Sequence, residues 1–146
     1  MSANTTTTQH DRFFRGILVF AAFAAGTGVA LGALSAHLPD KAFALPSGRG
    51  MLHSAVEIQM WHAIALCALA LGRDRLARCW ARWSCSMMAA GTLIFCVSVI
   101  TLAFTNLTFD KVSVGRVAPY GGTLLILSWA ATAMAAIKAP HRKSLD

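Results

Sequence analysis

Between Met51 and Gly72 the chain reads MLHSAVEIQMWHAIALCALALG, and four of those residues can do chemistry: His53, Glu57, Gln59 and His62. Carboxyl and imidazole groups relay protons, ligate zinc or iron, or tie helices together by hydrogen bonds. Their surroundings set them apart. Without them the apolar run is only Met60–Gly72, thirteen positions, whereas a spanning helix needs about 20. The polar half of the stretch therefore belongs at or near membrane depth. An ionisable side chain there costs about 2.5–3.5 kcal/mol at the bilayer centre and normally faces protein or a water-filled cavity. His53 and Glu57, four apart, share one helical face; Gln59 and His62, three apart, share another about half-way round. His62 lies eleven residues beyond Met51, about 16 Å along a helix and close to mid-membrane.

The rest of the chain supplies the helices that must position these groups. Of 146 residues, 56% are hydrophobic and 13% charged, against about 25% charged in ordinary soluble domains. Three further uncharged runs, Gly16–Leu34, Trp83–Phe104 and Val117–Ile137, have 19, 22 and 21 residues, each long enough to span. The expected fold is an all-α membrane protein, four transmembrane helices in an antiparallel bundle. Its single domain covers residues 13–138, with spans at about 16–34, 51–72, 83–104 and 117–137. A flexible Thr-rich tail is expected over 1–12 and a basic tail over 139–146.

The net charge of +7 would suggest nucleic acid in a soluble protein, but its placement argues for topology. Four spans put Arg12, Arg15, Arg73, Arg75, Arg78, Arg82, Lys138, Arg142 and Lys143 on one side, and Lys41, Arg49, Lys111 and Arg116 on the other. Nine against four in short loops predicts both termini in the cytoplasm, with the excess meeting anionic headgroups and no nucleic-acid partner. The four cysteines form no CxxC or zinc-finger spacing, and no structural disulfide is expected. Phosphate-binding loops, HExxH, GxSxG and a voltage-sensor charge series are all missing from the sequence.

Helix packing has its own signals. Ala24, Gly28, Gly32 and Ala36 recur every four positions, a small-residue row that allows two backbones to approach closely. The same row also fits the general abundance of alanine and glycine in membrane helices. Pro119 suits the first turn of the last span, and Gly121 and Gly122 would let that turn pack tightly. Pro39, Pro46, Gly48 and Gly50 punctuate the first loop, with His37 at the mouth of the first helix. The loop from Arg73 to Trp83 mixes arginine with tryptophan, as an interfacial anchor does. The triplets Asn4-Thr5-Thr6 and Asn106-Leu107-Thr108 match the short glycosylation pattern.

Four segments, taken in order, resemble a small bacterial inner-membrane family catalogued as domain-of-unknown-function family 423. They are Leu31-Gly32-Ala33-Leu34-Ser35-Ala36-His37, Glu57-Ile58-Gln59-Met60-Trp61-His62, Gly91-Thr92-Leu93-Ile94-Phe95-Cys96-Val97-Ser98 and Pro119-Tyr120-Gly121-Gly122. They answer to the family patterns LGAFGAH, ExQxxH, GxxLFSGS and PxGG. The resemblance implies a four-helix bundle in a bacterial inner membrane and marks His37, Glu57, Gln59 and His62 as its polar pattern residues. The chain departs from the pattern at Ser35 and at Cys96-Val97, and His53 belongs to no segment of it. The family has no established activity, so the likeness speaks to fold.

Three functional expectations follow. The first is a non-catalytic subunit that packs in the bilayer against a larger integral complex, for instance a respiratory one. His37, Glu57, Gln59 and His62 would then form one interhelical hydrogen-bond cluster. The second is a homo-oligomeric channel or transporter for a proton or small solute, with Glu57 and His62 as relay groups. The third is a metal or haem site built from His37, His62 and Glu57. The first is preferred because the loops are short and no soluble domain is visible; it calls for no cofactor, catalytic residue or metal ligand.

Overall fold

Lipid offers no hydrogen bonds to the backbone, so each apolar run has to satisfy its own amides by coiling into a helix. The computed structural model describes residues 3–105, 108–109 and 112–140, with side chains over 12–105 and 114–140. It shows α1 (Ala3–His37), α2 (Gly48–Leu71), α3 (Arg78–Thr105) and α4 (Ala118–Ile137). Each contains a segment long and apolar enough to cross a membrane, namely Arg12–His37, Gly48–Leu71, Arg78–Thr105 and, with the turn before α4, Val114–Ile137. The connections are short, so successive helices run antiparallel. The last connection holds two-residue strands, β1 (Thr108–Phe109) and β2 (Val112–Ser113), paired antiparallel. This hairpin left no trace in the hydrophobic pattern.

The first helix starts at Ala3, so the segment read as a tail is continuous with the first span. No glycine or proline interrupts residues 3–12, and extending an existing helix is far cheaper than nucleating one. The basic tail and the second glycosylation triplet lie largely outside the described residues.

Each helix packs chiefly on its neighbour in sequence. Toward the arginine-rich end all four contribute to one core, with Phe14, Leu66, Met88 and Leu125 at its centre. Cations close that end over aromatic rings: Arg82 lies 5.0 Å from Phe13, Arg73 5.8 Å from Phe14, and Lys138 5.2 Å from Trp80. At the opposite end Phe43, Leu52 and Ala103 form a second cluster, capped by the stacked rings of Phe43 and Phe104 at 5.3 Å. There Arg49 donates to the carbonyls of Ser35, in the last turn of α1, and Leu38, just beyond it, and pairs with Asp40 at 2.8 Å.

The closest helix pair is α3 with α4. A methyl group on Gly121 would lie 2.5 Å from the Phe95 amide nitrogen, and one on Gly91 would lie 2.9 Å from the Gly121 carbonyl. Backbone therefore rests on backbone. Gly122 is different: its nearest neighbour, the Phe95 ring, is 4.0 Å away. In the first span Gly28 faces Met60 and Gln59, and Gly32 faces Val56, all on α2, whereas Ala36 is exposed. At the start of α2, Gly48 admits the side chain of Phe43 and the carbonyl of Ala103, while Gly50 has open space.

Candidate functional site

The polar residues of α2 diverge. Gln59 turns inward to α1, is only 7% exposed, and donates from Nε2 to the Ala24 carbonyl at 2.7 Å and to Thr27 Oγ1 at 2.8 Å. The Thr27 hydroxyl donates in turn to the carbonyls of Phe23 and Ala24. Ala24 thus supplies a carbonyl and, with Gly28, the space that lets the amide reach it. Gly28 is the only one of the row with Gln59 beside its missing side chain.

His62, also 7% exposed, turns to α4. Its Nδ1 lies 2.7 Å from the Ile58 carbonyl, and Trp129 Nε1 approaches its Nε2 at 3.2 Å. A carbonyl only accepts and an indole N–H only donates. The ring therefore carries its hydrogen on Nδ1 and offers a bare Nε2 to Trp129. Protonating Nε2 would set two N–H groups against each other. Edge-on contact of the rings, at 6.0 Å and 61°, completes the staple.

The other two pattern residues lie elsewhere. Glu57 stands on the outward stripe of α2, 60% exposed, with His53 as its 3.7 Å neighbour on the same face. His37 ends α1 and is exposed. The structure therefore brings Gln59 to α1 and His62 to α4, and does not gather His37, Glu57, Gln59 and His62 into one cluster. The reason is angular: at 100° per residue Glu57 points 140° or more away from both Gln59 and His62.

Two polar contacts had no place in the sequence reading. The Ser84 hydroxyl donates to the Ser128 carbonyl at 3.1 Å and meets Thr132 Oγ1 at 2.6 Å, tying α3 to α4. The Cys96 thiol donates to the Ala55 carbonyl at 3.4 Å, tying α3 to α2. The spacing of Ser128 and Thr132, four apart in an apolar run, was the available signal; Trp129 offered none beyond its type. Among the described residues every buried side-chain nitrogen and oxygen has a partner. Also among them, no three His, Cys, Asp or Glu side chains come together as a ligand set, so the metal or haem expectation gains no geometry. Cys67, Cys79, Cys85 and Cys96 are free thiols. Gln59, His62, Ser84 and Cys96 each tie one pair of helices together, whereas the buried hydroxyls of Thr92 and Ser98 donate within α3.

The family described as "Protein of unknown function (DUF423)" matches residues 31–122, which contain Gln59, His62 and the Gly91–Gly121 contact. The UPF0382 inner membrane protein YgdD of Escherichia coli K12 is 32% identical over 124 residues, 85% of this chain and 91% of that protein. The UPF0382 membrane protein YwdK of Bacillus subtilis is 30% identical over 130 residues, 83% and 95% of the two chains. A UPF0382 membrane protein of Haemophilus influenzae is 36% identical over 115 residues, 75% and 84%. No solved structure matches. With four helices able to span and these relatives along most of its length, the chain is an integral membrane protein and belongs to the DUF423 family.

Proposed function

We propose that this protein is a non-catalytic subunit of the bacterial inner membrane, both termini cytoplasmic, that packs against a larger integral complex. The observation that carries the reading is the outward pair His53 and Glu57. Glu57 lies nine residues into α2, about 14 Å from its start, on the same exposed stripe as Trp61, Ile64 and Leu71. A carboxyl group facing hydrocarbon at that depth is costly, and a partner helix with a hydrogen-bonding or cationic side chain removes the cost. The inner groups point the same way, since Gln59, His62, Ser84 and Cys96 are each engaged in holding two helices. A relay through His62 would have to break its contact with Trp129, which counts against the transport reading. Orientation rests on the nine-to-four division of Lys and Arg between the two ends.

The test is purification of the tagged protein in mild detergent, with mass spectrometry of what accompanies it. The expected result is a stoichiometric integral complex whose recovery falls for Glu57→Leu and survives Glu57→Gln better. Isolation of the protein alone, or only as a homo-oligomer, overturns the reading.

A further inference from the structure

The bundle is open sideways between α1 and α3. These helices scarcely touch, and the gap is a window of about 200 Å³ with α2 behind it. Phe20, Phe23 and Leu31 wall it on one side, Leu93, Val97 and Ile100 on the other. Phe23, Leu93 and Val97 are more than half exposed and form its rim. Both ends are stopped, because Phe20 packs on the core around Met88 and Leu31 and Ile100 pack on the cluster of Phe43 and Leu52. Entry is from the hydrocarbon layer.

The lining is almost wholly apolar, and the little polar surface at its floor is one-sided in its hydrogen-bonding capacity. Gln59 spends both amide hydrogens on α1. Among the described residues nothing donates to its Oε1, yet no buried oxygen is left without a partner. Oε1 must therefore reach the accessible surface, and Gln59 meets that surface in the window. Thr27 and Thr92, also in the lining, commit their hydroxyl hydrogens to the carbonyls of Phe23, Ala24 and Met88. The Cys96 thiol hydrogen goes to Ala55. The window offers acceptors and no donor.

An occupant matched to this site is apolar in body, neutral, and brings its own donor. A charge has nothing to pair with, and a molecule with carbonyls alone would set acceptor against acceptor. The volume exceeds the roughly 150 Å³ of an apolar cavity that holds benzene, so a substituted ring fits. We propose that the window binds a ring-bearing, membrane-soluble phenol of the quinol class, with its hydroxyl donating to Gln59 Oε1. The inference stands apart from the subunit reading: a protein isolated alone would bind equally well.

The experiment uses the purified full chain in detergent, with 4-pentylphenol and its methyl ether as probes, read by saturation-transfer NMR over a concentration series. The two probes match in ring and tail and differ in the donor. The phenol is expected to bind saturably and about three- to tenfold more tightly than the ether, the worth of one hydrogen bond. Leu93→Trp, which fills the window from its rim, should abolish binding of both. Gln59→Leu should bring the two within about twofold. Equal affinity of the probes for the unaltered protein would mean that the window takes any hydrocarbon, a lipid tail included, and overturns the proposal. So would the absence of saturable binding, or unchanged binding in Leu93→Trp. The probe comparison decides even if Gln59→Leu does not fold.

Discussion

His62 and Trp129 show how a titratable residue in mid-membrane can be wholly structural. Acceptance by Ile58 and donation by Trp129 leave one arrangement of the imidazole, with hydrogen on Nδ1 and none on Nε2. Nitrogen NMR of labelled protein is expected to show that tautomer, and a hydrogen on Nε2 would sink the assignment. Trp129→Phe keeps the ring contact and removes the donor. It should lower stability by about 0.6 kcal/mol, and at most about 1.7, the range of interhelical hydrogen bonds in membranes. Thermal unfolding in detergent checks it. Gln59, Glu57 and His62 could be picked out by type and depth. Their partners could not, because a hydrogen bond between Trp129 and a residue 67 positions away has no local signature.

At the scale of elements, the two glycines at the head of α4 make the sharpest contrast. They are adjacent and chemically identical, and only Gly121 points into α3. Gly121→Ala would drive a methyl group into the Phe95 backbone, which cannot swing aside as a side chain can. A loss of about 1–3 kcal/mol is expected, against almost none for Gly122→Ala, and equal unfolding midpoints for the two would contradict this packing. Gly32→Ala should also be tolerated, since Val56 would sit 3.6 Å from the new methyl. Arg49 acts between elements: from the start of α2 it holds the Ser35 carbonyl in the last turn of α1, the Leu38 carbonyl just beyond it and the Asp40 carboxylate. Arg49→Lys keeps the charge and loses the planar fork. It should therefore loosen the α1–α2 turn almost as much as Arg49→Ala, visible as faster proteolysis between His37 and Ser47.

The whole molecule has two unlike ends, and its thiols can report them. Cys79 is exposed at the arginine-rich end, while Cys85 and Cys96 are buried within α3. A membrane-impermeant maleimide should label Cys79 in inverted vesicles and leave it unlabelled in spheroplasts. Cys85 and Cys96 should react only after unfolding. The reverse sidedness for Cys79 would overturn the proposed orientation.

Composition and run length alone determined that this is a four-helix membrane protein, because lipid admits so few backbone solutions that an uncharged run of about 20 residues leaves little choice. The same locality made helix ends legible at Pro39, Pro46 and Pro119, where a missing amide acts within one turn. Tertiary structure decided which polar residues meet. Gln59 and His62 lie only about 60° apart around α2, and whether they serve one neighbour or two depends on where α1 and α4 are set, which α2 does not encode. It decided too that Glu57 faces outward, that Gly121 and not Gly122 touches Phe95, and that α1 and α3 stand apart over Gln59. Each is a matter of distance between segments remote in sequence, fixed by the packing of all four helices together.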